Sequence, residues 1–237
     1  MINIKNTLIA AFAIASITMT TAFAGMSFGV VGSSMDINAT GTETDRLTAT
    51  GTNVADTSVR NKAVSDTAMG AAIYVEYTMS DSAWPLVFGA EYTPGEADIS
   101  GKLSRSDTET SQTGTLSHTA TLSTRTASAS ASNMSTAYIE APLFKGLYVK
   151  GGIAHITVDH QNDSGMNGST ALRGTNVGAG YKTETPGGFM LKVSYEETDY
   201  DTLDLRSAGS NSVTANSTGV TAEVDTKAYR FSVGKAF

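Results

Sequence analysis

The chain has 237 residues, with 23 Gly, 4 Pro, no Cys, 40% hydrophobic and 16% charged residues, and a formal net charge of −7. The lack of Cys excludes a disulfide framework, a thiolate metal site and a Cys nucleophile, and the acidic balance argues against nucleic acid, whose binding relies on Lys and Arg at phosphates. Both percentages lie below those of an ordinary soluble domain, with Ser, Thr, Ala and Gly filling the gap, a profile that favours strands and turns in one domain.

The first segment, "MINIKN", carries one Lys and no acid. "TLIAAFAIASITM" follows, shorter than the run of about 20 residues a membrane helix needs. "TAFA" then places Ala22 and Ala24 in A-x-A spacing. This order predicts a secretory signal peptide over residues 1–24, cut after Ala24, with the folded unit at 25–237. The peptide holds Lys5 and no acid, so its loss moves the net charge from −7 to −8. No later segment has the long apolar run of a membrane helix, but hydropathy averaging misses β-barrels, whose strands alternate.

Eight alternating segments follow, at Met26–Ile37, Thr67–Met79, Pro85–Ala97, Ser132–Leu143, Leu147–Asp159, Leu172–Glu184, Gly188–Tyr200 and Thr226–Phe237. Each is long enough for a tilted strand to cross a bilayer, which takes about 9–11 residues. The spacers "SDSAW", "FKG" and "TPGG" are short and rich in turn formers, whereas 38–66, 98–131, 160–171 and 201–225 are long. Short turns on one side and long loops on the other is the layout of an outer-membrane barrel. Within the long stretches, "TGTLSHTATLS" and "SNSVTANST" put Ser, Thr or Asn on alternate positions. Period 2 is the strand period, so several strands are expected to continue beyond the membrane as hydrophilic hairpins.

Parity assigns the faces. One set is apolar: Ile73, Val75, Tyr77 and Met79; Leu86, Phe88, Ala90 and Tyr92; Val177, Ala179 and Tyr181; Phe189, Leu191, Val193 and Tyr195; Tyr229, Phe231, Val233 and Phe237. This set is expected to face lipid, with aromatic residues near the strand ends and Trp84 at a periplasmic turn. The opposite phase holds Glu76, Glu91, Glu140, Glu196, Lys150, Lys182, Lys192 and Arg230, four acids and four bases. An eight-stranded barrel is just wide enough for side chains to fill it, and buried charges need partners. A lumen network is therefore expected, with Glu140 opposite Lys150 across "FKG" and Glu196 near Arg230. A soluble β-sandwich shows the same alternation inside out. Signal peptide, loop asymmetry, strand length and terminal Phe favour the all-β, eight-stranded, antiparallel up-and-down transmembrane barrel.

The final "YRFSVGKAF" resembles the C-terminal signature of bacterial outer-membrane proteins, and "LYVKGGIAHI" and "TNVGAGYK" resemble the Gly-rich strands of the OmpA/OmpX-type β-barrel superfamily. The resemblance spans 25–237. It implies residence in the outer membrane of a Gram-negative cell, contact with membrane lipid and lipopolysaccharide, and a monomer. It also implies that Tyr229, Phe231, Val233 and Phe237 form the signal read by the outer-membrane assembly machinery. No peptidoglycan-binding domain is expected after the last strand, so no cell-wall tether is implied.

The expected role is a structural or surface-interaction barrel with a lumen filled by paired charges. The alternative is a narrow porin-like channel, and an outer-leaflet lipid-modifying enzyme ranks third. His118 and His160 are expected in loops and His155 on the fifth strand, facing out. His155-x-Thr157 is similar to the His-x-Ser pair of barrel lipid A deacylases, but Thr stands in place of Ser. Asp159–His160 is the other acid–base neighbour. No catalytic residue, cofactor or metal site is expected. The acids Asp36, Glu43, Asp45, Asp107, Glu109, Asp199, Asp201 and Asp204 read as solvated surface, with cation bridging as the alternative.

Overall fold

The structure is a computed structural model that describes residues 25–47, 56–79, 85–112, 118–162, 167–206 and 217–237. The signal-peptide reading at 1–24, Trp84 and the loop tips at 113–117 and 210–216 lie outside the described residues. The elements are β1 (Met26–Leu47), β2 (Asp56–Thr78), β3 (Val87–Gln112), β4 (His118–Pro142), β5 (Leu147–Asn162), β6 (Gly168–Glu184), β7 (Phe189–Tyr200), β8 (Leu203–Arg206) and β9 (Ser217–Ala236).

All neighbours are antiparallel, and β1 also pairs with β9, which closes the ring. The four-residue β8 is a continuation of β7. After Asp199↔Asp225 the chain breaks at Asp201 and Thr202, then resumes along the same partner at Leu203↔Ala222. The ring therefore has eight staves, and the barrel is of the up-and-down type.

The register fixes its shape. From Met26 the pairings run to Tyr77, Phe88, Ile139, Gly151, Val177, Glu197 and Lys227, and then back to β1 at Asp36. The walk ends at residue 36 after starting at residue 26, a shear of 10. With ordinary strand spacings, eight strands at this shear tilt by about 40° around a radius of about 8 Å. Each residue then rises about 2.5 Å along the axis.

Turn chemistry sets the short ends. In the β4–β5 hairpin, Lys145 and Gly146 adopt φ of 45° and 87°, and Leu147 donates to the Phe144 carbonyl at 2.9 Å. Gly146 is required there, because the backbone needs positive φ. At the β6–β7 turn, Thr185 donates to the Phe189 carbonyl at 2.8 Å and Gly188 has φ 78°.

At the other end the strands run far beyond a membrane's thickness. The β1–β2 hairpin continues to Leu47↔Asp56, and β3–β4 to Gln112↔His118. The 22 residues of β1 span about 55 Å along the axis, against an apolar band of about 25 Å for such barrels. Most of 38–66, 98–131, 160–171 and 201–225 is thus strand, not loop. Alternating Ser and Thr suits a solvated two-stranded ribbon as well as it suits a wall.

One seam is incomplete. The β2–β3 pairing runs only from Thr78↔Val87 to Ile73↔Tyr92. Beyond it β2 pairs with β1 alone, and β3 with β4 alone. The break coincides with Pro94, which has no N–H to give a ladder, and Gly95 at φ 101°, within the bulge between Thr93 and Glu96.

Candidate functional site

The outer wall carries the apolar phase. Ile73, Tyr77, Phe88, Tyr92, Val177, Tyr181, Phe189, Leu191, Val193, Tyr229, Phe231 and Val233 are all exposed. The belt is edged by aromatic rings. At the short-turn end Phe28 meets Phe237 edge-on, with centroids 6.3 Å apart, and Lys235 reaches over the rings of Phe189 and Phe237 at 5.4 and 5.5 Å. At the other edge Tyr195 and Tyr229 lie 5.1 Å apart, and Glu197 and Lys227 are paired in register just beyond them. Apolar side chains outside and ionised ones inside suit a barrel whose outer solvent is lipid.

The eight inward charges form two neutral clusters. In the one nearer the short turns, Lys192 bonds both Glu76 and Glu140, and Lys182 reaches Glu140 at 3.5 Å. Glu76 is only 2% exposed and also accepts from Tyr138 Oη at 2.7 Å and Ser27 Oγ at 3.2 Å. In the other cluster Lys150 bonds Glu196 at 2.8 Å, while Arg230 bonds Glu196 at 2.9 Å and also Glu91. Tyr138 links the clusters, since its ring lies 3.9 Å from Lys150 Nζ while its hydroxyl serves Glu76. Each cluster holds two acids and two bases, so neither leaves a net buried charge.

Register neighbours are not the bonding partners everywhere. Glu140 and Lys150 are indeed register partners. Their bonds nevertheless go elsewhere, Glu140 to Lys192 and Lys182, and Lys150 to Glu196. Inward side chains on adjacent antiparallel strands stand side by side, whereas long ones reach further by crossing the lumen.

Sequence reasoning missed two layers. Tyr74, Tyr138 and Tyr148 are buried in the lumen, with Lys192 5.5 Å from the Tyr74 ring and 5.2 Å from that of Tyr148. Each sits two residues from an inward charge (Glu76, Glu140, Lys150), so the same parity would have placed it. A Cβ at Gly89 would clash with the edge of the Tyr138 ring, and one at Gly234 with the Tyr74 hydroxyl. The second layer is an apolar plug on the long-hairpin side, made of Ile37, Ala131, Ile156, Val158, Leu172, Leu203 and Val224. Ile37 and Ile156 are fully buried.

Between plug and charges lies a cavity of about 580 Å³. Its walls include Ser33, Met35, Gly70, Thr93, Met134, Asn176, Thr198 and Arg230. It sits beside the place where β2 and β3 part.

His155 and His160 lie on β5, not one in a strand and one in a loop, and His118 opens β4. Successive residues of a strand face opposite sides, so Asp159 and His160 point apart. Asp159 instead accepts from Ser132 Oγ at 2.9 Å and from Ser169 Oγ, while His160 Nε2 lies 3.5 Å from Thr170 Oγ1. Asp36 accepts from Thr67 at 2.7 Å, and Asp204 pairs with Arg206 at 3.1 Å. The side chains of Asp45, Asp107, Glu109 and His118 are outside the described residues. Among the described residues no group of three or more acids and histidines is placed to hold a metal ion.

No protein-family description matches the chain, and no curated protein sequence matches it. Solved structures do resemble it. The outer membrane protein OprG from Pseudomonas aeruginosa is 14% identical, covers 90% of this chain and 96% of its own, with a TM-score of 0.44. The outer membrane protease OmpT from Escherichia coli is 10% identical, covering 93% and 99%, at a TM-score of 0.41. Ail, the attachment invasion locus protein of Yersinia pestis, is 14% identical, covering 85% and 98%, at 0.32. At these scores the likeness adds nothing to what the strand ring itself establishes.

Proposed function

We propose that the protein is an integral outer-membrane barrel with a structural and surface-contact role, sealed against the passage of ions and solutes. The observation that carries this reading is the layered interior: two neutral ion-pair clusters are stacked below a plug of seven buried apolar residues. Passage would require parting salt bridges that have almost no water around them, where neither separated ion could be solvated. The long hairpins present hydroxyl-rich ribbon to the outside, next to lipopolysaccharide. The last strand, with Tyr229, Phe231, Val233 and Phe237 in its outward phase, is the segment offered to the assembly machinery.

Planar-bilayer recording of the purified protein tests the seal. The expected trace has no stepwise conductance, and regular steps from the native chain would favour the narrow channel instead. Migration of unboiled and boiled outer-membrane fractions on a denaturing gel tests the barrel's residence, since a folded barrel keeps its shape in detergent until heated.

A further inference from the structure

The cavity between plug and charges has a sideways mouth. Glu91, Glu196 and Arg230 floor it, and Met35, Ala97, Met134 and Tyr200, which pack against the plug, roof it. Its wall at β2 and β3 is unpaired above Ile73↔Tyr92. Unpaired strand edges cannot face hydrocarbon, so the mouth must lie no deeper than the outer interface of the membrane. The aromatic edge agrees: Tyr92 is the last paired residue of β3, and Met69, beyond the last paired residue of β2, is 71% exposed.

The lining is divided. Met35, Ala68, Ala97, Met134 and Ala228 give it an apolar side, and Thr136, Asn176 and Thr198 a polar one. Asn176 carries a specific signal. It is 3% exposed, and its Nδ2 donates to Thr198 Oγ1 at 2.9 Å and to the Glu197 carbonyl at 3.4 Å. Its Oδ1 has no hydrogen-bond partner. A buried acceptor without a donor is costly, and a ligand hydroxyl or amide N–H would satisfy it. The charges beneath are already paired, so they offer a charged head no counter-ion.

We infer that this cavity binds an uncharged, single-chain amphiphile that enters from the outer leaflet between β2 and β3. Its hydroxyl or amide head meets Asn176 Oδ1, and its chain lies against Met35, Ala97 and Met134. The volume is within the range of small-molecule sites. Gly70 stands at the mouth, where a Cβ would lie 3.4 Å from Ser33 Oγ and 3.7 Å from Thr93 Cγ2, ordinary contacts that leave room for a side chain to block the way. The inference rests on the membrane reading above.

The test is photolabelling in phosphatidylcholine vesicles with dodecanol that carries a diazirine on its chain, mapped by mass spectrometry. The expected pattern is labelling of Met35 or Met134 inside as well as belt residues such as Val177 and Val193, which lie outside the cavity. Gly70→Phe should abolish the inner labelling and leave the belt untouched. Where that variant does not fold, Thr93→Phe fills the mouth from the other side. Asn176→Ala should weaken competition by unlabelled dodecanol for the inner sites by about three- to tenfold, the loss of one neutral hydrogen bond. Labelling of the belt alone overturns the site, and inner labelling that survives the blocked mouth overturns the route. Inner labelling by the sulfate ester of the same probe, equal to that by the alcohol, overturns the uncharged head. Absence of belt labelling sinks the membrane reading itself.

Discussion

Lys192→Met is the sharpest perturbation of the interior. Lys192 is the cation shared by Glu76 and Glu140, and all three are nearly inaccessible to water. The substitution keeps most of the side-chain volume and turns a neutral cluster into one of net charge −1. Lys182 remains, but it sits 3.5 Å from Glu140 and is 26% exposed, too distant and too solvated to replace the lost cation. Stripping one partner from a buried pair costs about 3–5 kcal/mol. With a urea slope of about 2 kcal/mol per molar, the unfolding midpoint should fall by about 2 M. The assay is urea unfolding of the refolded protein in vesicles, read as the folded fraction on unboiled gels. Adding Glu140→Gln restores neutrality, and the double variant should recover more than half of the loss. A single-variant cost under about 1 kcal/mol would refute the reasoning, as would a double variant whose cost equals the sum of the two single ones.

Gly89→Ala places a methyl group where the Tyr138 ring lies, so the ring must move and release Glu76. Its expected cost, in the same urea assay, is about 1–3 kcal/mol from overpacking. Ile156→Ala hollows the plug at a fully buried position and should cost about 2–5 kcal/mol. Since Ile156 lies above the charge clusters, planar-bilayer recordings of this variant should remain without steps. Deleting Phe237 should lower the folded fraction in outer membranes of expressing cells while leaving refolding of the purified protein into vesicles unchanged. An equal loss in both would mean that the residue contributes packing against Phe28 alone.

The facing of the strands was readable because parity is local: each residue's side follows from its neighbours two away, and Phe231 and Arg230 belong to opposite faces wherever the strand lies. Bonding across the lumen was not readable. Whether Glu140 meets Lys150 or Lys192 depends on the ring's shear, which only the full set of registers supplies. The plug was hidden for a similar reason. Ile156, Val158 and Leu172 share their phase with charged or polar residues lower on the same strands, so one face changes character along its length. The parting of β2 from β3 had a signal in the dipeptide Pro94–Gly95, which interrupts a ladder as readily as it makes a turn. Ribbon lengths beyond the membrane were harder, because Ser- and Thr-rich sequence alternates equally well in a strand or a solvated linker.

Apart from Arg230–Glu196, every lumen salt bridge among the described residues joins strands that are not neighbours in the wall. Glu91 on β3 meets Arg230 on β9 only once β1 has met β9. A sheet that has begun to curl but has not joined its first and last strands holds these ions facing one another across a gap. It cannot take them into lipid one strand at a time. Like a cask whose staves bear on each other only when the final one is driven home, the molecule has no useful half-built form, and closing the wall and pairing the interior become the same event.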